Sequence, residues 1–171
     1  ADLRPPVKGT VNSTAYARPA VTMRERVAVQ FTKIHPDAQA PTQGSSLAAG
    51  WDLRAIEETT VSSRTSAKVK TGLKIAIPAG YEGQIRARSS LGAKGLILPN
   101  APGTIDADYR GELMVLMTWI GEGESYTIPK GERVAQLVIA PVPKVEFMEV
   151  SEEELSETER GEGGFGSTGR F

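Results

Sequence analysis

At 171 residues the chain is long enough for one domain with a sizeable core plus tails. Its 20 Lys and Arg nearly balance 21 Asp and Glu, a net charge of −1, so no bulk electrostatic pull draws it to nucleic acid or a membrane surface. With no Cys and a single His, disulfides, thiol nucleophiles, cysteine-held zinc and multi-histidine metal sites are excluded; any metal must be a hard cation held by oxygens, for which Mg²⁺ is the natural choice.

Residues 1–24 carry Arg4, Lys8, Arg18 and Arg24 against one acid, Asp2, with prolines and no apolar periodicity, and read as a flexible N-terminal extension or the remnant of a targeting segment. A core is expected over 25–150. Val27, Val29 and Phe31 alternate with Ala28, Gln30 and Thr32 as a half-buried strand does. A loop rich in Pro, Ser, Gly and Gln covers 35–46, with His35 before Pro36 reading as a turn. Trp51–Ile56 is a short strand, and Leu73, Ile75 and Ile77 alternate again. Ile77-Pro78-Ala79-Gly80 suits a type I turn, with Pro second and Gly fourth, leading to a return strand over Tyr81–Arg88. Ile128-Pro129-Lys130-Gly131 repeats that turn between Ser125–Thr127 and Val134–Ile139. Leu91–Gly95 offers a short helical turn, Leu113–Ile120 is an apolar run next to a polar loop at 103–112, and Val145–Phe147 begins a last short strand. Ser151-Glu152-Glu153-Glu154 has the form of a capping box, opening a C-terminal arm over 151–171. Helical periodicity is otherwise absent, so the fold class is all-β, with many short strands in the manner of a barrel or jelly roll.

Five segments carry chemistry. Gly103-Thr104-Ile105-Asp106-Ala107-Asp108-Tyr109-Arg110-Gly111-Glu112 sets acids and an aromatic between glycines beside a buried run, the setting of a loop held by a rigid scaffold. Arg88-Ser89-Ser90 offers a guanidinium, two hydroxyls and free N–H groups to a phosphate, although a helix cap explains Ser89 equally. Gln136, polar within an apolar strand, needs a partner, which an ordinary core hydrogen bond would supply. Arg160 to Gly169 is half glycine: backbone N–H groups can form an anion nest, and Phe165 can lie flat on a planar ring. It lacks the Gly-Lys-[Ser/Thr] of a Walker A loop. Asn100 can present donor and acceptor together to a pyrimidine edge, or simply form a turn.

Taken in chain order, these segments and Ala48–Leu53 resemble the five motifs of the trimeric dUTPases. Ala48-Ala49-Gly50-Trp51-Asp52-Leu53 is similar to the first, Arg88–Gly92 to the second, Gly103–Gly111 to the third, Gly131–Gln136 to the fourth and Arg160–Gly169 to the fifth. Trp51 replaces a frequent Tyr, Ala87 a common Pro and Ser90 a usual Gly. The resemblance implies a distorted jelly-roll β-barrel of the β-clip type and a homotrimer with exchanged C-terminal arms and sites at subunit interfaces. The implied reaction is Mg²⁺-assisted hydrolysis of dUTP to dUMP and pyrophosphate, keeping uracil out of DNA and supplying dUMP for thymidylate synthesis.

The resemblance also implies residue roles. Asp106 would be the base. Asn100, Gly103, Thr104, Ile105, Tyr109, Met114 and Phe165 would hold uracil and deoxyribose. Arg88, Ser89, Ser90, Gln136, Arg160, Gly166, Ser167 and Thr168 would hold the phosphates, and Asp52 would reach Mg²⁺ only through water. The expected setting is soluble and intracellular: cytoplasm, or nucleus or an organelle if residues 1–24 are a processed remnant. Neither nucleic acid nor membrane is an expected partner. Two rivals stand beside this reading. A dCTP deaminase, or a bifunctional relative, needs a catalytic Glu where this chain has Leu116, and a missing general acid–base costs roughly 10²–10⁴ in rate. A non-catalytic nucleotide-binding regulator would not require Asp106, Tyr109 and the arm together.

Overall fold

The computed structural model describes residues 24–169. The extension expected over 1–24 lies outside them except for Arg24, whose Nη2 donates to Ser46 O at 3.0 Å. The described residues form the all-β, jelly-roll-type fold expected, in four antiparallel sheets around one core. The strands are β1 (Gln30–Lys33), β2 (Trp51–Arg54), β3 (Thr59–Ser62), β4 (Ala67–Lys70), β5 (Leu73–Ala76) and β6 (Tyr81–Ala87). After the helix α1 (Ser89–Lys94) come β7 (Leu96–Ile97), β8 (Gly103–Ile105), β9 (Met114–Trp119), β10 (Ser125–Ile128) and β11 (Arg133–Pro141). The sheets run β2-β11-β6-β8, β4-β9-β7, β1-β5 and β10-β3.

Alternation explains which face each strand buries. In β9, Val115, Met117 and Trp119 point inward, while Met114, Leu116 and Thr118 are half-buried on the other face. β11 lies between β2 and β6 and buries Val134, Ala135, Leu137 and Val138, losing the clean alternation because both of its faces are covered. Leu53, Val61, Val69, Leu96, Leu113, Ile128 and Val134 complete the centre of the core. Trp119 stacks on Tyr126 with ring centroids 5.2 Å apart, and its Nε1 donates to Glu122 O at 3.1 Å.

Four expectations shift. The first strand begins at Gln30, later than Val27, and its side chains are exposed, because β1 pairs only with β5 and nothing covers its outer face. The two Pro-x-Gly turns sit one residue further along. Tyr81 N donates to Pro78 O and Glu132 N to Pro129 O, each at 3.2 Å, so glycine is third in the turn. Gly80 (φ 88°) and Gly131 (φ 86°) supply the positive φ that a type II turn requires there. Residues 103–105, expected as loop, form β8 against β6. The strand expected at Val145–Phe147 does not form: 142–150 is irregular and exposed, because no strand of the described chain pairs with it. The capping box at Ser151 is present and closes a single 3₁₀ turn, Glu152–Glu154. His35 does lie in a turn, its carbonyl accepting from Ala38 N at 3.1 Å.

Candidate active site

The loop between β8 and β9 forms one wall of a cleft lined by Lys68, Thr104, Ile105, Asp106, Tyr109, Glu112, Met114 and Leu116. Its volume is about 260 Å³, slightly below the range usual for drug-sized ligands. β8 supplies Thr104 and Ile105 and delivers Asp106 to the cleft. β9 supplies Met114 and Leu116 from its half-buried face. The β4–β9 register sets Lys68 directly across from Leu116.

The loop is closed by its own side chains. Tyr109 N donates to Asp106 O at 3.1 Å. Arg110 Nη1 donates to Ala107 O at 2.6 Å and Tyr109 O at 3.0 Å. Glu112 Oε2 accepts from Gly72 N at 3.3 Å, tying the loop to the β4–β5 turn. Next along, Leu113 N donates to Leu73 O at 2.8 Å, and Leu113 O accepts from Thr71 Oγ1 at 2.6 Å. Gly103 is buried against Ile85, and a Cβ there would meet Ile85 Cβ at 3.3 Å and Asn100 Nδ2 at 3.5 Å, so Asn100 folds over the start of β8. Asn100 is exposed beside the cleft and is not among its lining residues.

A second cluster forms on β2, β11 and β6. Gln136 pairs in register with Asp52 on one side and Arg86 on the other. Its Nε2 donates to Ala87 O at 3.1 Å, so the bland account of a polar residue in a strand is met by a backbone acceptor. Gly50 makes that pose possible, since a Cβ there would lie 2.1 Å from Gln136 Oε1. A bulge between Arg133 and Ala135 re-aims Arg133, and its Nη1 comes within 3.5 Å of Asp52 Oδ2. Arg88 Nη1 donates to Arg133 O at 2.9 Å. Arg88 is also the residue flanking α1, and no side-chain cap forms there, so Ser89 and Ser90 keep exposed hydroxyls on the first turn. None of Arg88, Ser89, Ser90 or Gln136 lines the cleft.

The arm is apart from both. From Arg160 to Gly169 it is a succession of tight turns: Arg160 Nε to Gly163 O at 2.7 Å, Ser167 N to Gly164 O at 3.0 Å and Gly169 N to Gly166 O at 3.0 Å. Phe165 and Gly166 both have positive φ, Phe165 is fully exposed, and Ser167 and Thr168 are exposed. Thus one chain brings together Thr104, Ile105, Asp106, Tyr109 and Met114, gathers Arg88, Gln136 and Asp52 elsewhere, and leaves the arm free of both. Sequence reasoning missed Lys68, Leu116 and Glu112 as lining residues. It also missed Arg133, whose only signal was a charge next to the bulged strand.

Comparison with known proteins bears on the whole span. A family profile described as dUTPase matches residues 36–169. A deoxyuridine 5'-triphosphate nucleotidohydrolase of Dinoroseobacter shibae is 54% identical over 138 residues, 76% of this chain and 87% of that protein. One from Nautilia profundicola is 48% identical over 83% of this chain and 99% of its own length. The dUTPase of Staphylococcus bacteriophage 80alpha, solved with dUpNHpp, superposes with a TM-score of 0.73 at 33% identity, covering 84% of this chain and 99% of that one. A dUTPase variant from phage phi11, described with a coordinated structural Mg(II) ion, gives a TM-score of 0.66 at 25% identity, covering 75% of this chain and 99% of that one. With a profile match across the core and arm and relatives this similar, the chain belongs to the dUTPase family.

Proposed function

We propose that the chain is a dUTP diphosphatase, converting dUTP and water to dUMP and pyrophosphate. The observation that carries this is the cleft, in which a carboxylate, Asp106, lies beside an aromatic wall, Tyr109. Asp106 orients a water and takes its proton as the water oxygen bonds to the α-phosphorus. The bond from that phosphorus to the bridging oxygen of the β-phosphate breaks, and pyrophosphate leaves with its electron pair. Asn100 and the backbone of Gly103, Thr104, Ile105 and Met114 read the uracil edge. Tyr109 packs on the deoxyribose and leaves no room for a 2′-hydroxyl.

Arg88, Ser89, Ser90 and Gln136 hold the phosphates. Because they lie apart from the cleft in one chain, we place the complete site between copies in a homotrimer, the cleft of one subunit facing the phosphate cluster of another. The arm of a subunit, residues 151–169, closes over a site built by its neighbours: Arg160, Gly166, Ser167 and Thr168 meet the γ-phosphate and Phe165 covers the base. Val142, Val145, Phe147, Met148 and Val150, all exposed here, are covered in that assembly.

Mg²⁺ fits the residues present. Among the described residues no group of three His, Cys, Asp or Glu could cage a metal. A cation that keeps most of its waters and binds phosphate oxygens needs no such cage. Asp52, whose carboxylate is 18% exposed beside Gln136, would hold it through water. When bound, Mg²⁺ neutralises charge on the phosphates. Among the described residues no helix is long and apolar enough to cross a membrane.

The deaminase reading is not favoured, since Leu116 gives the cleft an aliphatic wall where that chemistry needs a proton shuttle. Pyrophosphate release measured in parallel with dUTP, dCTP, TTP and UTP tests the proposal. Release from dUTP alone is expected; ammonia from dCTP, or equal release from all four, would overturn it.

A further inference from the structure

Gly111 stands two residues past Tyr109, and a Cβ there would run into the tyrosine ring. A Cβ built on it would lie 2.3 Å from Tyr109 Oη, 2.6 Å from Cζ and 3.0 Å from Cε2. The tyrosine ring therefore occupies the space an alanine side chain would need. Gly111 does not lie in the left-handed region, so its backbone would accept alanine and any effect of a methyl group there acts on the ring.

The ring is also held at its far end. Tyr109 Oη donates to Glu112 O at 3.0 Å. That acceptor is braced from both sides. Glu112's own carboxylate takes the Gly72 N–H, and the adjoining residue, Leu113, is fully buried and bonded to Thr71 and Leu73. Arg110 fixes the backbone of the turn from the other side. The ring position is thus set by a void at Gly111 and a rigid carbonyl at Glu112, with only two side-chain torsions left to absorb a push.

We propose that Gly111 and the Glu112 carbonyl are the positioning pair that sets the sugar selectivity of the cleft. This rests on the reading of Tyr109 as the sugar-facing residue. Rejection of a 2′-hydroxyl by a ring face is steric, so it depends on where the ring sits to within a fraction of an ångström. A methyl at position 111 forces the ring out of that position, and loss of the phenol oxygen releases its far end.

The test is kcat/KM for dUTP and UTP with the full-length wild type, Gly111→Ala, Tyr109→Phe and Gly44→Ala. Gly44 has open space where its Cβ would be and serves as the control. The expected result is a dUTP/UTP ratio lowered about tenfold or more in Gly111→Ala, since misplacement by about 1 Å can cost roughly 10² in rate. Tyr109→Phe should show a smaller drop in the same ratio, and Gly44→Ala none. A folded Gly111→Ala that loses equally on both substrates overturns the inference, because a merely structural role leaves the ratio in place. Should Gly111→Ala not fold, an unchanged ratio in Tyr109→Phe overturns it. A wild type that hydrolyses UTP as readily as dUTP instead refutes the role given to Tyr109, and the inference falls with it.

Discussion

Thr71→Val asks how firmly the loop between β8 and β9 is rooted in the core. Thr71 is 1% exposed, the only polar residue among the fully buried side chains described. Its Oγ1 donates to Leu113 O at 2.6 Å and accepts from Leu73 N at 3.3 Å. Valine keeps the shape and replaces the hydroxyl with a methyl. Leu113 O retains a partner, since Thr71 N also donates to it at 3.3 Å. Leu73 N–H loses this acceptor in a site water does not reach. A stranded buried donor costs about 1–3 kcal/mol. For a chain of this size that lowers Tm by about 2–12 °C. Thermal melts at a fixed protein concentration measure it, with Thr71→Ser as the partner variant. Serine keeps both hydrogen bonds and gives up one methyl, about 1 kcal/mol. Valine as stable as wild type, or serine worse than valine, would refute the claim that the hydroxyl braces Leu113.

The other predictions concern the site and one surface pair. Asp106→Asn should leave the melting curve unchanged while dUTP turnover falls by about 10²–10⁴; retained turnover would remove Asp106 as the base. Deleting residues 160–171 should spare the fold, because the hydrogen bonds of 151–169 among the described residues are local. Turnover should drop by about a hundredfold or more through lost positioning, and a fully active truncation would rule out the lid. Lys130, with Nζ 2.6 Å from Asp37 Oδ2, holds that carboxyl below its ordinary 3.8 through a hydrogen bond and its charge. A lowered folded-state value gives stability that is present above 3.8 and lost as pH falls through the depressed value. The Tm gap between wild type and Asp37→Asn should therefore be small and steady above about pH 5, the pair being exposed, and should close on acidification. A gap that widens in acid would contradict the sign.

The proposed nucleoside half of the site was legible because it is local. Gly103 to Glu112 is one stretch, and its glycines, Asp106 and Tyr109 can be read without knowing any partner strand. Lys68 and Leu116 were not legible, because they reach the cleft only through the register of β4 on β9. The two Pro-x-Gly turns were recognised by composition yet placed one residue early. Proline's liking for the second position outweighed, on paper, the need for positive φ at glycine. Val27 and Val145 read as strands because alternation says that a face will be buried, not by which chain. Gly50 and Gly111 carried no sign that each makes room for a functional side chain, since that depends on where Gln136 and Tyr109 finally point.

The uncovered run from Val142 to Val150 matters before any catalysis begins. Val142, Val145, Phe147, Met148 and Val150 form an exposed apolar run, the kind of surface that draws other chains unless it is covered. In the proposed homotrimer a newly made chain would carry that liability until it met its own kind, and the time to meeting would be set by how much of the protein is being made. Apparent stability then rises with chain concentration by mass action. On that proposal low dosage would act first on folding quality: a cell that halved its supply would raise the share of each chain's life spent with Phe147, 96% exposed in the single chain, in water.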